Sequence, residues 1–375
     1  MKGTKLYTIL TFFVLVALLA ACAPPPTPPP PEKIIETVTV IETVIVEGAP
    51  VVQEKIITAT PEPTMPPKDK VSLRLNWSYY GIHAVFPYGK ELGIFDKYNI
   101  DLTIKQGNGS GNAVKLVANK DSDFAYASNG ALIANATGGA PVIAVASIDA
   151  MGTDAVLCRP DSGIKTFADL KGQKIMTTAG AGVNTYFPVA LANQGMSLDD
   201  IQLINVAESA LVSSYLENLA PCILAGIDDK PAQIEAEGGE PPIIFNYADY
   251  GVAQPGYVIV AHKDMVANNP DLVQRMVNAT LESVQACLDN REACAQALVD
   301  YNAQLTDSFD MVKKQLDVSL DILFSPNNTE KILGLNVPAD WESVLELQKQ
   351  YQDLVTDMTA DQLYTNDFVM KFHGK

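Results

Sequence analysis

Aromatic side chains are concentrated in one short segment of the sequence. Trp77, Tyr79 and Tyr80 place three rings within four residues, Asn76 precedes them and His83 follows them. Rings of this kind offer flat amphipathic surfaces on which a ring-shaped ligand can stack. The alternative for each ring, and for His83, is a place in the hydrophobic core. The segment predicts binding by stacking.

Two glycine-rich loops contribute further candidates. Residues 107–111, GNGSG, open a predicted helix, so backbone N–H groups could hold a carbonyl or an anion, although the loop is equally a tight turn. Residues 180–186, GAGVNTY, repeat this arrangement. Each acidic candidate could instead cap a helix or face solvent. The candidate ligand-binding residues are Asn76, Trp77, Tyr79, Tyr80, His83, Ser110, Ser128, Asn129, Asn184, Thr185, Tyr186, Glu208, Asp228, Asp249 and Tyr250.

The sequence contains no pattern that is typical of a catalytic site or a metal site. The three histidines, His83, His262 and His373, have no metal-ligand spacing, and no serine lies in a nucleophile elbow. The chain has 44 acidic and 26 basic residues, a net charge of -18, and no basic stripe that could neutralise phosphates. We therefore predict no enzyme activity, no metal, no cofactor and no nucleic-acid partner.

The elements that must position these candidates are those of an α/β protein. From residue 70 onward, short β-branched runs alternate with longer amphipathic stretches, which predicts strands joined by helical crossovers. Ligands of open α/β sheets bind outside the carboxyl ends of the strands. After residue 261 the pattern becomes helical, with predicted helices from residue 270 and at 292–301, 309–320, 338–358 and 359–364. Predicted strands are residues 71–75, 100–105, 124–127, 142–148, 155–158, 174–177, 202–206, 222–225, 243–245 and 257–261.

The first 69 residues differ in composition from the rest. Lys2 and Lys5 precede an apolar run at residues 9–21, and small residues then lead to Cys22. This arrangement resembles a bacterial lipobox, which implies a signal peptide at residues 1–21 and a lipid anchor on Cys22. An uncleaved membrane anchor is the alternative. Residues 22–69, rich in Pro and then in Ile, Val and Thr, are interpreted as a stalk, with an edge hairpin or self-associating strand as the competing interpretation.

The order of motifs resembles that of a known family. Residues 73–128 contain Asn-Trp after a strand, LGIF at a helix end, the GNGSG loop and VANKDSDF before a third strand. TFADLKGQKI at 166–175, DYGV at 249–252 and NPDLVQRMVNATLESVQACL at 269–288 follow in order. The set resembles extracytoplasmic solute-binding proteins of ABC importers, in the branch for riboflavin, thiamine pyrimidine precursors, alkanesulfonates and taurine.

This resemblance implies a type II-like periplasmic-binding-protein fold, with two α/β lobes joined by two crossing strands and the ligand between them. Residues 70–152 and 253–375 would form lobe 1 with the C-terminal helices, and residues 153–252 would form lobe 2. The implied partners are a small-molecule ligand and a membrane permease with its cytoplasmic ATPase. We expect a monomer, held on the outer face of the cell membrane through lipidated Cys22.

The charged residues near the candidate binding residues allow the possible ligands to be ranked. Arginine occurs only at positions 74, 159, 275 and 291, none of them in the candidate loops. Because sulfonates and phosphates are usually bound by Arg or Lys, we expect a neutral, aromatic, hydroxyl-bearing ligand. Riboflavin fits best among the family's substrates, a thiamine pyrimidine precursor is second, and an alkanesulfonate or taurine is third.

Two other classes of function share this fold. Some relatives make thiamine pyrimidine inside cells, but they use a cysteine-rich motif that this chain lacks, and export also argues against such an enzyme. A sensor or adhesion lipoprotein is the second alternative, and neighbouring permease and ATPase genes would argue against it.

Four cysteines follow Cys22, an even number for an oxidising compartment. Cys287 and Cys294 flank a predicted helix corner and could pair there, although within one unbroken helix they could not. In the family's sheet order Cys158 and Cys222 lie on neighbouring strands, which implies a second bridge. Isolated buried thiols are the alternative for both pairs.

Overall fold

The computed structural model describes residues 37–46, 49–58, 67–252, 256–351 and 354–375. The chain divides into two compact units, Met1–Pro66 and Pro67–Lys375. In the first unit, β1 (Thr37–Val46) pairs antiparallel with β2 (Ala49–Thr58) along its whole length. β1 and β2 thus form a hairpin, as in the competing interpretation, and the stalk at residues 22–69 stays a prediction. The predicted signal peptide and Cys22 lie outside the described residues.

The second unit contains two five-stranded sheets. Its strands are β3 (Asp69–Arg74), β4 (Ile100–Lys105), β5 (Phe124–Ser128), β6 (Val142–Asp149), β7 (Asp154–Cys158), β8 (Lys174–Thr177), β9 (Gln202–Asn205), β10 (Cys222–Gly226), β11 (Ile243–Asn246) and β12 (Tyr257–His262).

Helices connect and cover the strands. They are α1 (Val85–Glu91), α2 (Ile94–Lys97), α3 (Ser110–Ala118), α4 (Asn129–Thr137), α5 (Phe187–Asn193), α6 (Leu211–Leu216), α7 (Lys230–Ala236), α8 (Lys263–Asn268), α9 (Pro270–Asp289), α10 (Arg291–Tyr301), α11 (Phe309–Asp321), α12 (Pro338–Tyr351) and α13 (Asp367–Phe372).

Both sheets have the same strand arrangement. The first has the order β4-β3-β5-β12-β6 and the second the order β11-β7-β10-β8-β9. Parallel pairs join β3 to β4 and β5, and β8 to β9 and β10, whereas β12 and β7 are antiparallel to their neighbours. The first lobe is here the first sheet with its helices, and the second lobe is the second sheet with its helices. This architecture confirms the predicted α/β class.

The chain passes from the first sheet to the second between Asp149 and Asp154 and returns before Tyr257. The two crossings lie side by side, because the Gly256 N–H donates a hydrogen bond of 2.8 Å to the Asp149 carbonyl. A Cβ atom at Gly256 would lie 2.6 Å from the Met151 carbonyl oxygen, so glycine permits this close approach.

Alternating side chains divide the interior into layers. Phe124, Tyr126 and Ile259 point from the first sheet into a core shared with α9, whereas their neighbours in sequence point to the opposite face. The core on that opposite face continues beneath the second sheet and includes Trp341 of α12. The two lobes therefore share a hydrophobic core. A third core packs against the far face of the second sheet.

The C-terminal region is less helical than the sequence predicts. Helix α12 ends at Tyr351, and the segment predicted as a helix at 359–364 contains a single 3-10 turn, Ala360–Gln362. The backbone at residues 363–365 pairs instead with Ala144 of β6, through hydrogen bonds of 2.9 Å in each direction. This pairing to a sheet edge competes with the helix and ends it.

Disulfides join Cys158 to Cys222 and Cys287 to Cys294. The first links opposite residues of β7 and β10, and the second spans the corner between α9 and α10. Within the described residues, none of the helices has the length and apolar character that a bilayer crossing requires.

Candidate ligand-binding cleft

A cleft lies between the two lobes, and its cavity has a volume of about 50 Å³. The first lobe contributes Asn76, Trp77, Tyr80, Ser110 and Tyr257 to its lining. The polar lining from the second lobe consists of Asp154, Thr178, Asp228, Asp229 and Lys230.

Two glycines allow the loops of the first lobe to converge on this cleft. Gly107 donates to the Trp77 carbonyl at 3.0 Å, and Gly109 donates to the Asn76 carbonyl at 2.7 Å. A Cβ atom at Gly107 would lie 1.8 Å from the Leu75 carbonyl oxygen, so a side chain cannot be accommodated. Gly109 has φ of 131°, a conformation that favours glycine. The loop therefore fixes Asn76 and Trp77 through backbone contacts.

His83 orients Asn76 from below the cleft. The ring is fully buried, its Nε2 lies 2.8 Å from Asn76 Oδ1, and its Nδ1 accepts a hydrogen bond from the Tyr80 N–H. Burial lowers the pKa of His83 to about 3, so the ring is neutral. A neutral ring that accepts at Nδ1 donates at Nε2, which leaves the Asn76 amide group as a donor toward the cleft.

Carboxylates dominate the second-lobe side. Asp229 forms an ion pair of 2.9 Å with Lys230, and both side chains are largely buried. Asp228 is only 2% exposed. Its carboxyl accepts from Ser319 of α11 at 3.5 Å. Burial, and then the neighbouring charge of Asp229, raise the pKa of Asp228 to about 7.

Asp149, at the end of β6, lies behind the cleft. It is fully buried and accepts a hydrogen bond from the Tyr126 hydroxyl on one carboxyl oxygen. Burial, and then the charge of Asp228, raise its pKa well above the ordinary value. Tyr126 also stacks on Tyr257 at 5.1 Å between ring centroids, which connects this carboxyl to the aromatic side of the cleft.

Direct contacts hold the lobes together around the cleft. The Ser78 hydroxyl donates to Glu208 across the opening. Gln315 of α11 accepts from the Gly81 N–H of the first lobe at 3.1 Å and donates to the Asp229 carbonyl of the second at 3.0 Å. A Cβ atom at Gly182 would lie 2.9 Å from Ser128 Oγ. The arrangement is that of a closed two-lobed binding site.

A family model described as NMT1/THI5 like matches residues 82–294, more than half of the chain. The chain belongs to the NMT1/THI5-like family.

Three similar proteins illustrate this membership and the fold. A Brucella abortus (strain 2308) protein, provisionally named a binding protein, is 27% identical over 261 residues, which cover 64% of this chain and 74% of that protein. The riboflavin-binding protein RibY of Chloroflexus aurantiacus is 24% identical over 251 residues, covering 66% of this chain and 70% of RibY. The solved structure of the alkanesulfonate-binding protein SsuA from Xanthomonas axonopodis pv. citri, bound to MOPS, has a TM-score of 0.64 at 12% identity and covers 81% of this chain and 99% of that one. These similarities confirm the predicted family resemblance and the two-lobed binding-protein fold.

Five of the candidates predicted from the sequence line the cleft of this NMT1/THI5-like protein: Asn76, Trp77, Tyr80, Ser110 and Asp228. Glu208 lies across the opening from Ser78, and burial raises its pKa. His83 acts through Asn76, as described above. These seven residues form one connected region between the lobes.

Four more candidates lie at the interface of the lobes, outside the lining. Ser128 caps α4 by accepting from Ala131, and its own N–H donates to Ser110 at 3.1 Å. Asn129 accepts from the Tyr186 hydroxyl at 3.4 Å. Thr185 lies beside Gly130, where a Cβ atom would be 2.7 Å from its methyl group. These residues connect the lobes behind the cleft.

The remaining candidates have structural neighbours elsewhere. Tyr79 packs edge-on against Tyr301 at 5.9 Å between ring centroids. Asn184 hydrogen-bonds Thr177 and the Thr178 carbonyl, which shapes the second glycine loop. Tyr250 packs on Phe167, and Asp249 is exposed.

Sequence reasoning missed Asp154, Thr178, Asp229, Lys230 and Tyr257 in the lining. The ranking of ligands considered arginine alone and overlooked Lys230, two residues after Asp228, which lines the cleft. Asp154 and Tyr257 are the first residues of β7 and β12, which run antiparallel to their neighbours. The start of each of these strands therefore lies at the same edge of the sheet as the carboxyl ends of the strands beside it. Among the described residues, no group of three or more His, Cys, Asp or Glu side chains could hold a metal ion.

Proposed function

We propose that this protein is the substrate-binding component of an ABC importer and that it captures a small heteroaromatic vitamin or vitamin precursor. The observation that carries this proposal is the cleft between two lobes, lined by Trp77, Tyr80 and Tyr257 and by hydrogen-bonding groups. Aromatic faces and a few polar groups are the usual lining of a site for a flat ligand.

Two ligands are the leading candidates. Riboflavin is favoured by the aromatic lining and by the similarity to RibY. A thiamine pyrimidine precursor is favoured by the carboxylates, which accept hydrogen bonds from ring amino groups. An alkanesulfonate or taurine ranks third, because the lining contains three aspartates and Lys230 already forms an ion pair with Asp229.

The proposed mechanism is capture followed by closure. The ligand binds one lobe, the other lobe rotates about the crossings near Asp149 and Gly256, and the closed form docks on a permease that works with a cytoplasmic ATPase. No bond is made or broken. We further propose that residues 1–21 are a signal peptide, that Cys22 carries a lipid on the outer face of the membrane, and that the protein acts as a monomer.

Isothermal titration calorimetry of the purified protein tests this function. We expect a saturable isotherm with riboflavin or with the formylaminopyrimidine precursor of thiamine, and no heat with ethanesulfonate or taurine. Mass spectrometry should recover the bound compound unchanged. Binding of the sulfonates alone would contradict the proposed ligand class, and conversion of the compound would indicate an enzyme.

A further inference from the structure

Two buried glutamines of the C-terminal helices each form hydrogen bonds to both lobes. Gln315 of α11 is 2% exposed, and Gln348 of α12 is 1% exposed. A carboxamide is strongly polar, and burying it is costly unless it has hydrogen-bond partners. The partners of these two side chains therefore indicate what the side chains do.

Gln315 reaches from the first lobe to the second. Helix α11 packs closely on the first lobe, because Leu316 belongs to the core of that lobe and a Cβ atom at Gly81 would lie 2.2 Å from the Leu316 backbone nitrogen. Oε1 of Gln315 accepts from the Gly81 N–H at 3.1 Å, whereas Nε2 donates to the Asp229 carbonyl at 3.0 Å and to Asp229 Oδ1 at 3.1 Å. One amide group thus connects the backbone of the first lobe to a residue of the cleft lining.

Gln348 makes a corresponding connection from α12. Its Nε2 donates to the Tyr186 hydroxyl of the second lobe at 3.0 Å and to the Gly130 carbonyl of the first lobe at 3.5 Å. The same hydroxyl donates to Asn129 at 3.4 Å, and a Cβ atom at Gly130 would lie 2.7 Å from it. Because Tyr186 is only 1% exposed, this second connection is also buried.

Each glutamine lies beside one of the two crossings between the sheets. Asp229 follows the end of β10, which pairs with Asp154, where the chain enters the second sheet. Asn129, the neighbour of Gly130, donates its N–H to the Gly256 carbonyl of the return crossing at 3.1 Å. The glutamines therefore flank the crossings about which the lobes are proposed to rotate, and such a rotation changes the distances on which their hydrogen bonds depend.

We propose that Gln315 and Gln348 are positioning residues that hold the two lobes in the closed arrangement and thereby set the affinity for the ligand. This inference rests on the proposed capture and closure. Neither glutamine lines the cleft, so both act through the lobes rather than by contact with the ligand. A buried hydrogen bond shifts such an equilibrium by a factor of about two to ten. Because open lobes admit the ligand and closed lobes retain it, each glutamine mainly slows dissociation.

Small-angle X-ray scattering of the purified protein tests the proposal without knowledge of the ligand. Gln315→Met keeps the length of the side chain but has no amide, and Tyr186→Phe removes the hydroxyl that Gln348 contacts. Without added ligand, we expect each variant to have a larger radius of gyration than the unmodified protein. Gln296→Met is the matched control and should leave the radius unchanged, because this exposed glutamine of α10 donates to Asp300 of the same helix.

Stopped-flow fluorescence then measures the binding rates of riboflavin or of the formylaminopyrimidine precursor of thiamine. We expect dissociation to be about two- to tenfold faster in Gln315→Met and in Tyr186→Phe, and association to be no slower. A local packing defect alone would lower the melting temperature without changing the radius of gyration or the dissociation rate. Circular dichroism identifies a variant that fails to fold, and the other variant then decides.

An unchanged radius of gyration, or an unchanged dissociation rate, in both variants would overturn the proposal. A change in one variant alone would overturn the role of the other glutamine. Binding of neither compound would overturn the proposed ligand class, and the scattering result would still decide on the glutamines. Binding of a compound with unchanged rates in both variants would overturn the role of the glutamines and leave the proposed function intact.

Discussion

Trp77 belongs to both the core and the cleft. It is 9% exposed, packs within the core of the first lobe and also lines the cleft. Replacement by Ala removes a stacking surface, so we expect Trp77→Ala to weaken a heteroaromatic ligand by about 1–3 kcal/mol, as base stacking on aromatic side chains does. Calorimetry measures this loss, and thermal melting reports any effect on folding.

Tyr250→Ala is the matched control for Trp77→Ala. The ring of Tyr250 packs on Phe167 in the second lobe, outside the cleft lining, so the affinity for the ligand should stay the same. Equal affinities of Trp77→Ala and the unmodified protein would restrict Trp77 to a role in the core.

His83 predicts a pH dependence of stability. Its pKa is about 3 in the folded protein and about 6.5 when unfolded, so only the unfolded chain takes up a proton between these values. The contribution of His83 to the free energy of unfolding is therefore complete above pH 6.5. Below that pH it falls by about 1.4 kcal/mol for each pH unit, as the pH approaches 3. Urea unfolding at pH 7, 6 and 5 measures the slope.

In the variant His83→Gln the free energy of unfolding should depend less steeply on pH, because glutamine does not titrate. Any loss of stability that is independent of pH leaves this slope unchanged. A slope unchanged by His83→Gln would show that the ring is protonated or exposed in the folded protein.

Single residues also show where sequence reasoning succeeds and where it stops. Trp77 and Asp228 were predictable because each follows a parallel strand whose end faces the cleft. Asp154 and Tyr257 were not, since they begin antiparallel strands, and strand direction within a sheet depends on distant pairing. Tyr79 was indistinguishable from Tyr80 because the direction of a side chain in a loop is not encoded by spacing.

At the scale of elements, the second glycine loop sets how closely the lobes approach. In Gly182→Ala the new methyl group would lie 2.9 Å from Ser128 Oγ and 3.4 Å from Ser110 Oγ. Contacts this short would keep the two loops apart in Gly182→Ala. We therefore expect this variant to bind ligand more weakly and to have a larger radius of gyration in the presence of ligand than the unmodified protein. Its melting temperature should be unchanged. Calorimetry and small-angle X-ray scattering measure the two effects.

Gly111→Ala, in the first glycine loop, serves as the control for Gly182→Ala, because a Cβ atom at Gly111 would meet no atom within 4 Å. It should bind ligand like the unmodified protein. Full affinity in Gly182→Ala would mean that the lobes need not close to this distance.

The strands of the two five-stranded sheets and the helices α9, α10 and α11 were predicted within one or two residues, because β-branched runs and a proline after Asn269 mark them locally. Helix α12 was predicted to continue to residue 358, but it ends at Tyr351. The segment after α12 was not predicted correctly, since residues 363–365 pair with Ala144, a contact that spans more than two hundred residues. Local propensity favours a helix in this segment, but its hydrogen bonds to a distant sheet edge stabilise an extended backbone instead.

At the scale of the whole molecule, the two disulfides differ in the chain that they enclose. The partners are 64 residues apart for Cys158–Cys222 and 7 residues apart for Cys287–Cys294. Loop-closure entropy predicts a stabilisation of about 4 kcal/mol for the longer loop and about 2.4 kcal/mol for the shorter one. Cys158→Ala with Cys222→Ala should therefore lower the free energy of unfolding more than Cys287→Ala with Cys294→Ala.

Urea denaturation of the two double variants measures this difference, and because both remove the same atoms from fully buried sites, the packing losses largely cancel. An equal or reversed effect would mean that residual structure in the unfolded chain, rather than loop length, determines the contribution of each bridge.

The position of β12 has a consequence for the order in which the lobes can be completed. All five strands of the second sheet come from one continuous stretch, Asp154 to Asn246, whereas β12 lies between β5 and β6 in the first sheet and arrives later in the chain. A growing chain that ends before Tyr257 therefore contains every strand of the second sheet and lacks an inner strand of the first. The lobe that begins first along the chain is the one that must wait for its last strand.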